Sequence, residues 1–204
     1  MIDFSVSIGS AYSYLSLMRL AAVEAETVAA FRWRPFSVRA IMIEQNNIPF
    51  VGKPVKLAYM WRDIERHAHA YGLKPHLPAP YPLVEFDLAN RIAIVAEAEG
   101  RLPDYVRAAY RRWSEVGHQP GSEPGLSDAL GEVGQERARV IALARSYAAG
   151  ERYEAATEEA KALGVFGSPT FVVDGEVFWG DDRLEDAIEW SKTPGLGSRQ
   201  GEAW

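Results

Sequence analysis

Apolar and polar residues alternate from the start of the chain: Ile2, Phe4, Val6 and Ile8 are apolar, and Asp3, Ser5 and Ser7 are polar. A period of two predicts a half-buried β-strand, ended by Gly9. From Ser10 the period becomes helical, carried by Leu15, Met18, Ala22 and Ala25, with Ser10 in the place of an N-cap. A second apolar stretch, Val28 to Trp33, predicts a strand stopped by Pro35. The chain therefore opens β-α-β, and a helix in the connection predicts parallel strands joined by a right-handed crossover.

Residues 36–55 hold Asn46, Asn47, Pro49, Gly52 and Pro54 and predict a loop. Helical periodicity then runs to about Leu163, with expected helices at 56–71, 86–99, 103–115, 124–131, 135–148 and 151–163 and a proline-rich loop from Pro75 to Pro82. Strand character returns in Thr170–Val173 and Val177–Trp179, around the tight-turn pair Asp174-Gly175. Gly180-Asp181 opens a last helix through Trp190, with Asp181 as its expected N-cap. The Gly- and Ser-rich tail, 193–204, is expected to be mobile. The order βαβ, helical block, ββα predicts an α/β fold. Its two ends, 1–55 and 164–192, form a thioredoxin-like domain, and 56–163 form an inserted all-helical domain.

Composition narrows the function. With 48% apolar and 25% charged residues the chain is an ordinary globular one. Its net charge is −6 and it has no basic run, so a nucleic-acid partner is not expected. The absence of cysteine excludes disulfides, thiolate metal sites and thiol–disulfide exchange by the protein itself. No apolar run reaches membrane-spanning length and the N-terminus lacks the pattern of a signal peptide, so a cytoplasmic location is expected. His67 and His69 stand two apart and do not share a helix face, and His76 and His118 fall in loop-like context, so no metal is expected. No P-loop or dinucleotide fingerprint occurs.

Two short segments carry candidate chemistry. In Gly167-Ser168-Pro169-Thr170-Phe171 a proline that cannot donate to a ladder stands directly before a strand. It can be a plain loop proline or mark a backbone left free for a ligand. Ser10-Ala11-Tyr12-Ser13 lies at the first strand-to-helix junction. A hydroxyl there can simply cap the helix, and it also sits where anions and thiolates are stabilised.

Together with Trp33-Arg34-Pro35, the run from Lys56 to Asp63, Gly164-Val165-Phe166 and the run from Phe178 to Leu184, these segments resemble the 2-hydroxychromene-2-carboxylate isomerases. They also resemble the related kappa-class glutathione transferases, in the disulfide-oxidoreductase branch of the thioredoxin superfamily. The likeness extends from Ile2 to Trp190. It implies a glutathione cofactor whose sulfur is held by Ser10, the catalytic serine standing where redox relatives carry cysteine. It implies that the backbone of Ser168, before a cis Pro169, pairs with the cysteinyl part of glutathione. Trp179, Gly180, Asp181 and Asp182 would cradle the γ-glutamyl end. Asn47, Lys56 and Asp63 would be polar ligand contacts, Asp63 reaching across a homodimer, and Tyr81 would touch a small aromatic substrate.

The physical chemistry is compatible with these placements: glutathione carries two carboxylates and one ammonium, for which Lys56 and a helix N-terminus offer donors and Asp63 and Asp182 an anion. Lys56 and Asp63, seven apart on one helix, can equally be solvated surface, and Asp182 an ordinary first-turn charge. The chain departs from the pattern at Ala11, where many relatives carry proline, and at Asp181, where relatives often carry Asn or Ser. A carboxylate at 181 would repel the γ-glutamyl carboxylate unless it points away.

The expected activity is a glutathione-dependent isomerisation of a bicyclic aromatic ring-cleavage product, towards which Phe178-Trp179-Gly180 and the loop at Tyr81 tilt the choice. A kappa-like transferase that consumes glutathione, and a non-catalytic binding or chaperone module, are the alternatives.

Overall fold

The computed structural model describes residues 1–192; the expected mobile tail lies outside them. Four strands form one sheet in the order β2-β1-β3-β4, where β1 is Ile2–Val6, β2 Phe31–Pro35, β3 Thr170–Val173 and β4 Glu176–Trp179. β1 pairs in parallel with β2 and antiparallel with β3, and β3 and β4 form an antiparallel hairpin. The fold is α/β and thioredoxin-like.

Phe4 lies opposite Trp33 on one neighbouring strand and Phe171 on the other. Its ring meets Trp33 edge-on at 5.0 Å and stacks on Phe171 at 5.2 Å. This three-strand aromatic row fixes the register, because a slip of one residue would turn Phe4 to the opposite face. Ser5 and Ser7, expected on a wet face, are buried. β1 is a central strand covered on both sides, and alternation reports only the more apolar of two buried faces. The strand expected over Val28–Trp33 begins later, at Phe31, where pairing with Ile2 starts; Val28 is 94% exposed. Asp174 and Gly175 have φ of +49° and +86°, the two left-handed positions of the tight hairpin turn predicted there.

The first crossover helix, α1, runs Ser13–Glu26. Residues 36–55 are not all loop: Val38–Glu44 form α2, whose N-cap Ser37 accepts from the Ala40 N–H at 3.2 Å. The Asn, Pro and Gly residues that follow masked this one buried turn of Val38 and Ile41. Then come α3 (Pro54–Ala70), α4 (Phe86–Ala98), α5 (Leu102–Arg111), α6 (Gly125–Glu132), α7 (Arg137–Ala144) and α8 (Tyr147–Ala162). α5 continues into a wider π-turn, Arg112–Val116, stopped by Gly117 at φ +84°. α7 and α8 divide at Ser146, whose side chain caps α8 through the Ala149 N–H, so α8 starts four residues earlier than its apolar pattern suggests. A short 3₁₀ turn, Asp181–Arg183, precedes α9 (Leu184–Ser191).

One continuous apolar core joins the sheet residues Phe4, Val6 and Phe171 to Ile92, Tyr105, Tyr110 and Trp113 of the intervening helices. The helical block is therefore packed as part of the sheet's own core. Among the described residues no helix is long and apolar enough to cross a membrane.

Candidate active site

The loop after β1 brings Ser10 to the N-terminal end of α1. Ser10 is not the side-chain cap expected of it: the helix begins at Ser13, the cap position is Tyr12, and no side chain caps it. The Ser10 carbonyl instead accepts the Ser13 N–H at 3.1 Å, closing a tight turn ahead of the helix. Its hydroxyl is left free to point elsewhere, and it donates to the main-chain carbonyl of Ser168.

Ser168 precedes Pro169 through a cis peptide bond at the start of β3. Its hydroxyl accepts the Ser7 N–H at 3.0 Å and lies 2.9 Å from the Ser13 hydroxyl. The outer serines of Ser10-Ala11-Tyr12-Ser13 thus divide their work. Ser13 is fully buried and ties α1 to the Ser168 side chain, whereas half-buried Ser10 faces the Ser168 backbone.

Two residues of the intervening helices hold the Ser10 loop, and the sequence reading missed both. Asn90 on α4 accepts from the Ile8 N–H at 2.8 Å and donates to the Ile8 carbonyl at 2.8 Å and to Phe86 O at 2.9 Å. The Tyr110 hydroxyl on α5 lies 2.9 Å from Ser10 O and 3.1 Å from Ser7 O, and burial pushes its pKa up, so it remains a neutral donor. A lone amide within Leu88-Ala89-Asn90-Arg91-Ile92 and a tyrosine after Ala108-Ala109 were the available signals. Gly9 completes the loop: its φ is +114°, and a Cβ there would stand 2.7 Å from the Phe86 ring.

On the other side of Ser168, the Gly180 N–H donates to Pro169 O at 3.0 Å, which docks the end of β4 beside the cis proline. The Trp179 indole lies against Gly167, where any Cβ would collide with it, and packs on Phe166 at 4.9 Å. It stays 53% exposed. Asp182 is exposed and pairs with Arg183 at 3.0 Å.

Asp181 behaves differently from both roles expected of it. It caps no helix, and its carboxylate is turned into the fold at 5% exposure. There it accepts from Ser16 at 2.9 Å, Tyr71 at 3.0 Å and Arg19 at 3.4 Å. Its charge is spent on α1 and α3 and does not face the surface that Trp179 and Asp182 border.

α3 supplies the opposite wall. Asp63 accepts from Tyr12 at 3.0 Å and Arg66 at 2.7 Å, so it is bound within its own chain to the Ser10 motif. Burial raises the Asp63 pKa, but these hydrogen bonds and the nearby Arg66 and His67 outweigh it and the net direction is down. Tyr12 moves up, chiefly through burial and then through Asp63. Tyr81 packs edge-on against Phe50 and Trp61, each at 6.0 Å, and Lys56 Nζ lies 5.7 Å from the Phe50 ring centre.

Ser10, Ser168, Pro169, Trp179 and Gly180 therefore form one connected set, with Asp63 joined through Tyr12. Tyr81 and Lys56 form a neighbouring aromatic wall. Asn47 and Lys56 are exposed, and Asn47 is joined to none of these residues by a hydrogen bond. A cavity of about 250 Å³ lies elsewhere, between β2, α4 and α8, bordered by Arg34, Phe36, Glu97 and Arg152, and holds none of these residues.

A family model for the DSBA-like thioredoxin domain matches residues 1–189. The chain is 30% identical over 186 residues to the 2-hydroxychromene-2-carboxylate isomerase of Sphingobium xenophagum, covering 90% of this chain and 94% of that one. It is 28% identical to the protein of the same name from Pseudomonas putida, covering 90% of each. A solved structure of 2-hydroxychromene-2-carboxylate isomerase superposes with a TM-score of 0.82 at 27% identity, covering 94% of each chain.

Proposed function

The chain belongs to the DsbA-like thioredoxin-domain family, among its 2-hydroxychromene-2-carboxylate isomerases, and from that premise we propose that it is a glutathione-dependent isomerase of 2-hydroxychromene-2-carboxylate-type ring-cleavage products. The observation that carries the reading is the Ser10 hydroxyl facing the Ser168 carbonyl across a cis Pro169, in a chain without cysteine. Such a site has no thiol of its own, which supports a thiol supplied from outside.

The residues fit glutathione. The Ser168 backbone offers an edge for an extended peptide, Trp179 an exposed aromatic face, Asp182 a carboxylate for an ammonium, and Lys56 a cation for a carboxylate. The inward turn of Asp181 removes the repulsion that a second acid would exert at the γ-glutamyl end.

Bound glutathione would supply a thiolate that adds reversibly to a conjugated carbon, so that a double bond can rotate before glutathione leaves unchanged. Ser10 would donate its proton towards the sulfur, favouring the ionised form of a thiol whose ordinary pKa is about 8.5. The N-terminus of α1 adds positive potential at the same point. Asn90 and Tyr110 keep the Ser10 loop from drifting, which matters because the hydroxyl must be in place before the sulfur arrives. Phe50, Trp61 and Tyr81 present ring edges and faces to a flat aromatic substrate.

A homodimer belongs to the same proposal. Val55 and Tyr59, four apart at the start of α3, are 83% and 60% exposed, and Val51 in the turn before the helix is 73% exposed, which supports a partner on that side.

The test is to follow substrate conversion and free thiol together. Catalytic turnover with glutathione returned is the expected result. Stoichiometric loss of thiol would replace the isomerase with a conjugating transferase. Calorimetric titration that detects no glutathione binding would remove both.

A further inference from the structure

We infer that Arg39 is the receptor for the carboxylate of the aromatic substrate, a specificity residue that rests on the isomerase reading and extends it. Arg39 is half-buried on α2. Its guanidinium lies 3.9 Å from the centre of the Phe86 ring, and Nη2 donates to the Leu83 carbonyl at 3.1 Å. Stacking and this single hydrogen bond fix the plane of the fork, yet among the described residues no carboxylate lies within 4.0 Å of it. Of the other partly buried arginines, Arg19 pairs with Asp181 and Arg112 with Glu132, while Arg91 and Arg107, also without an ion pair among the described residues, lie away from the Ser10 loop, beside Gly150 and over the Trp33 ring. A held guanidinium with most of its donors unused is suited to a planar, bidentate anion.

Its position decides which anion. The ring under Arg39 and the side chain of Leu83 are the groups that press on Gly9, the residue before Ser10. The charge of Arg39 is felt at the Tyr81 hydroxyl, where it opposes the upward pull of burial. Arg39 thus lies beside the reacting loop, over the ring that faces Gly9, and it holds the carbonyl of Leu83, two residues along the chain from Tyr81 of the aromatic wall. A flat ring system against that wall, with its reacting carbon towards Ser10, would carry a ring carboxylate within the reach of Arg39. Partial burial makes the pair stronger than a surface one, and a neutral analogue would leave the guanidinium unmatched.

The probes are chromone-2-carboxylate and its carboxamide, titrated calorimetrically into wild type, Arg39→Leu and Arg39→Lys. Expected is a preference of wild type for the carboxylate of about 10-fold or more, lost in Arg39→Leu and partly kept in Arg39→Lys. Equal affinity of wild type for both probes, no binding of either, or a preference that survives in Arg39→Leu would overturn the assignment. Unchanged thermal midpoints confirm that the variants are folded, and Arg39→Gln replaces Arg39→Leu if that variant is not. Glutathione is titrated separately. Carboxylate preference without glutathione binding would sink the cofactor reading and leave Arg39 in place; glutathione binding without carboxylate preference would do the reverse.

Discussion

The Ser10 hydroxyl donates to the Ser168 carbonyl across the site. A serine has one proton to give. In the chain by itself that proton is committed to the backbone; to serve a sulfur, the hydroxyl must turn about its Cβ–Oγ bond. Ser10→Ala removes the donor without disturbing the Ser10 carbonyl that closes the turn to Ser13. The expected outcome is a fall in kcat/KM of about 10²-fold or more, on the scale of a lost oxyanion-hole donor. Glutathione should still bind, with a weaker thiolate absorbance in the ultraviolet. Activity retained within a few-fold would end the catalytic assignment.

Ser10→Cys places a thiol where the hydroxyl was, at a helix N-terminus that favours its ionised form. No second cysteine exists in the chain to compete. With glutathione disulfide, the introduced thiolate should attack one sulfur, form a protein–glutathione disulfide and release one glutathione thiolate. Intact mass spectrometry should find one glutathionyl group, removable by dithiothreitol. Faster labelling than that of an exposed control on α8, Glu154→Cys, is the specific expectation. Equal rates would mean that the site does not guide glutathione to position 10.

Asn90→Leu is expected to cost stability and activity together. The amide satisfies Ile8 N, Ile8 O and Phe86 O in a fully buried place. Leaving the Ile8 groups unpaired costs about 1–3 kcal/mol each, less what the loop recovers by shifting. A loss of about 2–4 kcal/mol in urea unfolding is therefore expected. A variant that unfolds at the wild-type midpoint would show that the loop does not depend on this residue.

The parts legible in the sequence were those that repeat or that break a pattern. Alternation located β1, Asp174-Gly175 located the hairpin, and Pro169 before Thr170 located the cis bond at the start of β3. What escaped was decided by packing at a distance. Ser10 looks like a cap because Ser, a strand end and a helix start are local facts; its hydroxyl goes to Ser168 because β3 lies beside β1. Asp181 looks like an N-cap, and only the approach of Ser16, Arg19 and Tyr71 turns it inward. Asn90 and Tyr110 have no local motif at all. Their role exists because α4 and α5 pack beneath the loop.

Gly9 is held to glycine by two separate demands, and a double variant separates them. Its φ of +114° disfavours any side chain, and a Cβ would also strike the Phe86 ring at 2.7 Å. Gly9→Ala should be destabilising, by about 1–3 kcal/mol from the backbone strain with the clash added. Phe86→Leu in the Gly9→Ala background should recover the clash but not the strain. The coupling between the two substitutions is then the readout. Strict additivity in urea unfolding would mean that the Phe86 ring moves aside without cost and that backbone conformation alone selects glycine.

Asp63 should give the chain part of its acid sensitivity. Burial raises its pKa, but the hydrogen bonds from Arg66 and Tyr12 and the charges of His67 and Arg66 outweigh that effect, so the folded value is lowered. A carboxylate lowered on folding contributes stability that is present above its unfolded pKa, about 3.9. That contribution is lost as pH falls through the folded value. Asp63→Asn should accordingly be less stable than wild type at neutral pH, with the gap closing below about pH 4. Tyr12→Phe, which removes one of the two donors, should move the closing point upward towards the ordinary carboxylate value. Urea midpoints measured across the acid range give both results. A gap between wild type and Asp63→Asn that stays constant with pH would mean that the Tyr12–Asp63–Arg66 set holds the motif by shape alone and not by charge.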